Sequence, residues 1–173
     1  MALIKEILGK TPKFGEDIFL AETSVIIGDV SMGNQCSIWF NAVLRGDVNS
    51  ITLGDRVNIQ DNAMVHCTYK KYPTLLGNNV SVGHNAIIHG CTIYDNVLIG
   101  MGAIVMDDCV VESYALVAAG AVVTQGTHIK AGELWAGVPA KKIKDVPPHL
   151  REGEIERIAK NYVKYSGWYK EEK

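Results

Sequence analysis

Phenylalanine is scarce, three residues in 173, and neither sign of charge is in excess: 17 Lys+Arg against 19 Asp+Glu leave a formal net charge of −2. Without a basic surplus the chain has little with which to neutralise a phosphate backbone, so nucleic acid is not an expected partner. No apolar run approaches the roughly 18 residues of a membrane span. The opening MALIKEILGK places a lysine too early in too short an apolar stretch for a secretory signal. These absences predict no membrane association and a cytoplasmic location. Closely spaced cysteine pairs are missing too. Cys36, Cys67, Cys91 and Cys109 fit neither a CxxC metal knuckle nor a dense disulfide framework, and free, mostly buried thiols are expected.

Valine and isoleucine, by contrast, number 35, of which 31 precede residue 145. Together with many Gly and Asn they make a strand-and-turn composition. From Leu76 to Ala140 only six of 65 residues are Asp, Glu, Lys or Arg, whereas the tail from Asp145 is dense in charge. A length of 173 residues suits one structural domain.

The β body carries a repeat of six. Leu20, Ile26, Met32, Ile38 and Leu44 begin it; after a short insertion come Leu53, Ile59 and Val65, and after a longer one Leu76, Val82 and Ile88. One five-residue step leads to Ile93, and the series continues through Ile99, Val105, Val111, Val117, Val123 and Ile129 to Trp135. The fifth position of each hexapeptide is small or β-branched almost throughout. A period of six fits neither a helix nor a two-faced strand. It fits a parallel β-helix in which three hexapeptides close a triangular coil of 18 residues, with coils stacked at about 4.8 Å. Residues 20 to 140 would make between six and seven coils. Over this span the chain resembles the hexapeptide-repeat proteins, which implies a left-handed winding. The expected fold is therefore all-β, a left-handed parallel β-helix over 1–145, followed by a C-terminal segment 146–173. In that segment Ile155, Ile158, Ala159, Tyr162 and Tyr165 lie on one helical face, with glutamates early and lysines late, as the helix dipole favours. The spacing predicts a helix from about 152 to 170, packed on the β-helix or on a neighbouring subunit.

The frame also places the histidines. His66 and His89 are each the second residue of a hexapeptide, those starting at Val65 and Ile88. If the insertion after His66 is a loop, the two stack on one face about 5 Å apart and can share an ion. His84 belongs to the preceding face and is badly placed to join them. A neighbouring subunit could supply it if prisms pack around a threefold axis, which predicts three metal sites per homotrimer. Three imidazoles with an open position make a catalytic rather than a structural zinc site. His128 and His149 have no such partners, and Cys67, adjacent to His66, points to the opposite face.

Arg45-Gly46-Asp47, then Asn58-Ile59-Gln60-Asp61-Asn62, then His66, Gly83-His84-Asn85 and His89-Gly90 resemble, in this order, the gamma-class carbonic anhydrases. The resemblance covers nearly the whole chain. It implies a homotrimer that interconverts carbon dioxide and bicarbonate through a metal-bound hydroxide, with Zn2+, or Fe2+ or Co2+, held by His66, His84 and His89. It further implies that Gln60 orients the nucleophile, that Asn58 positions substrate or solvent, and that Arg45 and Asp47 form an ion pair across the trimer interface with Asp61 in the same network. Tyr162 is matched to a tyrosine near the metal. The family's acidic proton-shuttle loop is missing: Val48 follows Asp47, and Cys67-Thr68-Tyr69-Lys70-Lys71-Tyr72-Pro73 carries no acid. Two alternatives stand beside this reading. One is a metal-binding scaffold with weak catalysis. The other is a hexapeptide acyltransferase using an acyl-CoA, to which Gly137-Val138-Pro139-Ala140-Lys141 is common, although Leu76 to Ala140 holds a single lysine for the nucleotide phosphates.

Overall fold

The computed structural model describes residues 1–171. Its core is three ladders of inward-pointing aliphatic side chains, and the repeat of six sorts among them. The first face stacks Ile26, Leu44, Val65, Ile88, Val105 and Val123 in register. The second stacks Met32, Leu53, Leu76, Ile93, Val111 and Ile129. The third stacks Leu20, Ile38, Ile59, Val82, Ile99, Val117 and Trp135, one residue from each of seven coils. All of these strand pairs are parallel, so the fold is the expected parallel β-helix. Ile26, Ile38, Leu44, Ile59, Ile88 and Ile99 are fully buried, whereas Trp135, on the last coil, is only partly buried. Burying each such aliphatic side chain contributes about 1.5–3 kcal/mol.

The faces meet at corners where Asn41, Asn62 and Asn85 each take φ of 59°, a left-handed conformation that asparagine tolerates better than most residues. At another corner the strands Val25–Met32 and Val43–Leu53 run on without a break and join two faces into one 12-stranded sheet; the third face is an 8-stranded sheet. The last coil is closed by the antiparallel pair Glu133–Gly137 and Ala140–Asp145.

The C-terminal helical segment starts earlier than the apolar spacing predicts. Pro148–Leu150 forms a first turn, Arg151–Glu156 is π-helical, and Arg157–Glu171 is α-helical. Pro148 has no amide proton to lose at a helix start, which makes it a good opening residue and extends the segment toward the β body. The helix packs on the third face: Ile155 and Ala159 are buried, Tyr162 meets Trp39 edge-on at 5.2 Å, and Lys170 Nζ reaches Asp17 at 2.6 Å.

Candidate metal centre

Val65 and Ile88 point inward, so their successors His66 and His89 point outward, and the two histidines are direct register partners. The insertion between them does not disturb this, because residues 68–72 form a small loop closed by the bridge between Thr68 and Tyr72. The rings meet with His66 Nδ1 and His89 Nε2 3.0 Å apart. Each ring's other nitrogen lies on a carboxylate: His66 Nε2 on Asp47 at 3.0 Å and His89 Nδ1 on Asp107 at 2.8 Å. Carboxylates accept, so in the neutral rings these nitrogens carry the protons. The two facing nitrogens are then both lone pairs. Two lone pairs at this distance repel unless a proton or a metal ion lies between them. Two bonds of 2.0–2.1 Å at a tetrahedral centre span about 3.4 Å, so the pair fits a shared cation with little adjustment. Burial pushes the pKa of His66 below the ordinary imidazole value, which favours the neutral ring a metal requires.

Asp47 and Arg45 support this half. They flank Gly46, which stacks on Gly28 in the previous coil. A Cβ on Gly46 would lie 2.6 Å from the Asp29 carbonyl oxygen, so no other residue fits without moving that coil. Arg45 Nη1 binds Asp47 Oδ2 at 2.6 Å within one chain. Residues two apart on a strand point to the same side, so the two meet locally. Burial disfavours the charged form of Asp47, but hydrogen bonds from Arg45 and His66 outweigh it and hold its carboxyl below the usual range.

His84 occupies a different part of the prism. It precedes the left-handed Asn85 as Asp61 precedes Asn62 one coil earlier, and this common corner brings His84 Nδ1 to 2.8 Å from Asp61 Oδ2. Tyr162 Oη lies 3.4 Å from His84 Nε2. Burial, and then the Asp61 charge, push the Tyr162 pKa up to about 12, so its phenol stays protonated at neutral pH. Gln60 lines the same cavity as His84 and Tyr162, and its Nε2 donates to Asn58 Oδ1 at 3.0 Å. Asn58 in turn donates to the Oγ of its register partner, Ser81, at 2.8 Å.

The candidate residues therefore fall into two sets on one chain. His66, His89, Arg45 and Asp47 form one; His84, Asp61, Gln60, Asn58 and Tyr162 form the other. Among the described residues no three ligating side chains of one chain converge on a common point. Asp107 and Thr68 are additions to the expected site. One oxygen of Asp107 accepts from both His89 and the Thr68 hydroxyl, each at 2.8 Å. The signal for Asp107 was its position 18 residues after His89, one coil further along.

The family model for bacterial transferase hexapeptide (six repeats) matches residues 90–125. The chain is 46% identical over 168 residues to gamma carbonic anhydrase 2, mitochondrial, of Arabidopsis thaliana, covering 92% of this chain and 59% of that protein. It is 40% identical over 163 residues to the carbonic anhydrase of Geobacillus kaustophilus, covering 94% of this chain and 88% of that one. A solved structure of a hexapeptide transferase family protein from Anaplasma phagocytophilum superposes with a TM-score of 0.92 at 40% identity, covering 96% of this chain and 98% of that one. The chain thus spans about three fifths of the length of the plant relative.

Proposed function

Since the chain belongs to the gamma carbonic anhydrase family, we propose that it interconverts carbon dioxide and bicarbonate at a metal held between two copies of itself. His66 and His89 of one copy and His84 of the next would be the ligands, with zinc, iron or cobalt as the ion and a homotrimer as the assembly. The observation that carries this reading is the pair of proton-free nitrogens facing each other at 3.0 Å. It is supported by the carboxylate behind each of the three imidazoles, the arrangement by which proteins fix the tautomer of a metal ligand. A second support is the outward column Val43, Met64, Ile87, Ile104 and Val122 on the face that bears His66 and His89. These residues are apolar, and Ile87 is 38% exposed, as suits a face that a second copy covers.

When bound, the ion would lower the pKa of a coordinated water to about 7 and so provide a nucleophile at neutral pH. The chain's own groups do the rest. Asn58 holds the Gln60 amide so that its Oε1 is free to accept a hydrogen bond from the attacking water. Arg45, whose side chain is 37% exposed, offers its remaining N–H groups to bicarbonate. Asp47, Asp61 and Asp107 keep the three imidazoles in their binding tautomers. Tyr162 can donate to His84 Nε2 whenever that atom is uncoordinated.

A scaffold role with weak catalysis is the second reading, and the loop favours it: residues 67–73 contain no carboxylate to carry protons away. Stopped-flow CO2 hydration on protein of measured metal content separates the two. Turnover in proportion to metal supports the enzyme, and stoichiometric metal without turnover supports the scaffold. His84→Ala is expected to keep the fold and lose the metal. The name of the plant relative places that protein in mitochondria, which argues against the expected cytoplasmic location, and cell fractionation tests it.

A further inference from the structure

A cavity of about 370 Å³ lies between the C-terminal helix and the third face, opening beside His84, and its size is typical of small-molecule sites. Leu98 and its register partner Leu116 form the floor. Gly83 and Gly100 also line the cavity. A Cβ on Gly83 would lie 2.7 Å from the Met101 nitrogen, and one on Gly100 would strike the Ala119 nitrogen. Larger residues there would displace the next coil, so the stacking itself requires glycine at both positions.

One open acceptor ends in this cavity. The chain from Ser81 through Asn58 to Gln60 is directional, each amide nitrogen donating to the group before it. That engages Gln60 Nε2 and leaves Oε1 with no donor among the described residues. Gln60 is only 5% exposed, and every fully buried side-chain polar atom among the described residues has a partner. The bare oxygen therefore reaches the open space of the cavity. His84 Nδ1 is held by Asp61 and its Nε2 faces the Tyr162 hydroxyl at 3.4 Å, so that nitrogen is already engaged. At the far rim the charges of Glu154 and Arg157 pair at 3.0 Å and offset each other.

An apolar floor, one open uncharged acceptor at one end and no unpaired charge select a neutral molecule with a compact apolar body and one hydroxyl. We propose that this cavity binds a small phenol or alcohol, its O–H donating to Gln60 Oε1 and its ring or alkyl body resting on Leu98 and Leu116. Binding needs no metal. Its consequence for turnover rests on the function proposed above: the ligand hydroxyl would take the place of the water that Gln60 orients, and hydration of CO2 would slow.

Phenol is the probe, titrated into the metal-free full chain at pH 7 and followed by NMR. Saturable one-to-one binding is expected. Anisole, which keeps the ring and lacks the donor, should bind about tenfold more weakly, and benzoate, which adds a charge, should not bind. Ala118→Leu fills the recess and should weaken phenol binding about tenfold while metal uptake stays unchanged. Leu98→Trp is the second variant, entering the cavity from another coil, with circular dichroism to show that each is folded. Equal binding of phenol and anisole, binding of benzoate, or phenol affinity unaltered in both folded variants would overturn the proposal. Phenol that binds without slowing hydration supports the cavity and contradicts the catalytic role given to Gln60, so the two failures are distinguishable.

Discussion

Asp107 holds the Nδ1 proton of His89 at 2.8 Å, and the same oxygen takes the hydroxyl of Thr68. The inserted loop is thereby tied to an imidazole proposed as a metal ligand through a single carboxylate. Removing such a support typically costs ten- to a hundredfold in metal affinity. Asp107→Ala should weaken metal binding by about that factor in a chelator competition, and Thr68→Val, which leaves the carboxylate in place, should do so by less. An unchanged affinity in Asp107→Ala would show that His89 is positioned by other contacts.

Gly46 stands where a Cβ would press against the Asp29 carbonyl oxygen at 2.6 Å. Gly46→Ala forces the two coils apart and is expected to cost about 1–3 kcal/mol, a fall in Tm on the order of 5 °C. Thermal unfolding checks this, and a Tm equal to that of the parent would mean that the corner yields freely. Because Arg45 and Asp47 flank the glycine, metal affinity should fall along with stability.

The four thiols are buried and free. Burial is the main cause that pushes the Cys36 pKa up to about 11, far from the range in which thiolates react at neutral pH. The folded protein should be inert to an aromatic disulfide reagent at pH 8, with all four thiols appearing in guanidinium. Rapid reaction of any thiol in the folded state would contradict the packing described.

The end of the C-terminal helix is held by Lys170 on Asp17. The hydrogen bond from Lys170 holds the Asp17 carboxyl below its usual value of 3.8. A carboxyl depressed in the folded state stabilises that state above its unfolded pKa, and the effect disappears as the pH falls through the folded value. Asp17→Asn should therefore lower the Tm slightly at pH 7, exposed pairs being worth about 0.2–1 kcal/mol, and the difference from the parent should shrink as the pH is lowered below 4. A difference that is constant with pH would assign the effect to packing.

Much of this was legible in the sequence. The repeat of six yields all three ladders, because a coil of three hexapeptides fixes which residues stack, and the same frame places His66 on His89 and sets His84 apart. What escaped it depends on side-chain reach. Arg45 and Asp47 also meet within one strand, a contact that the motif alone does not announce. Asp107 drew no notice because it matches no motif, and its link to His89 appears only once the coils are stacked. The helix start was missed because apolar spacing registers only the buried face, while Pro148 opens the helix a turn before that face begins.

Mixing His84→Ala chains with His89→Ala chains, by unfolding and refolding equal amounts together, tests the shared centre most directly. Each variant alone lacks one ligand at every site. In mixed trimers about one quarter of the sites combine intact His66 and His89 from one chain with intact His84 from another. Metal content and CO2 hydration are expected to return to about that fraction of the parent's. Refolded mixtures that bind no more metal than either variant alone would show that the three imidazoles do not meet between copies.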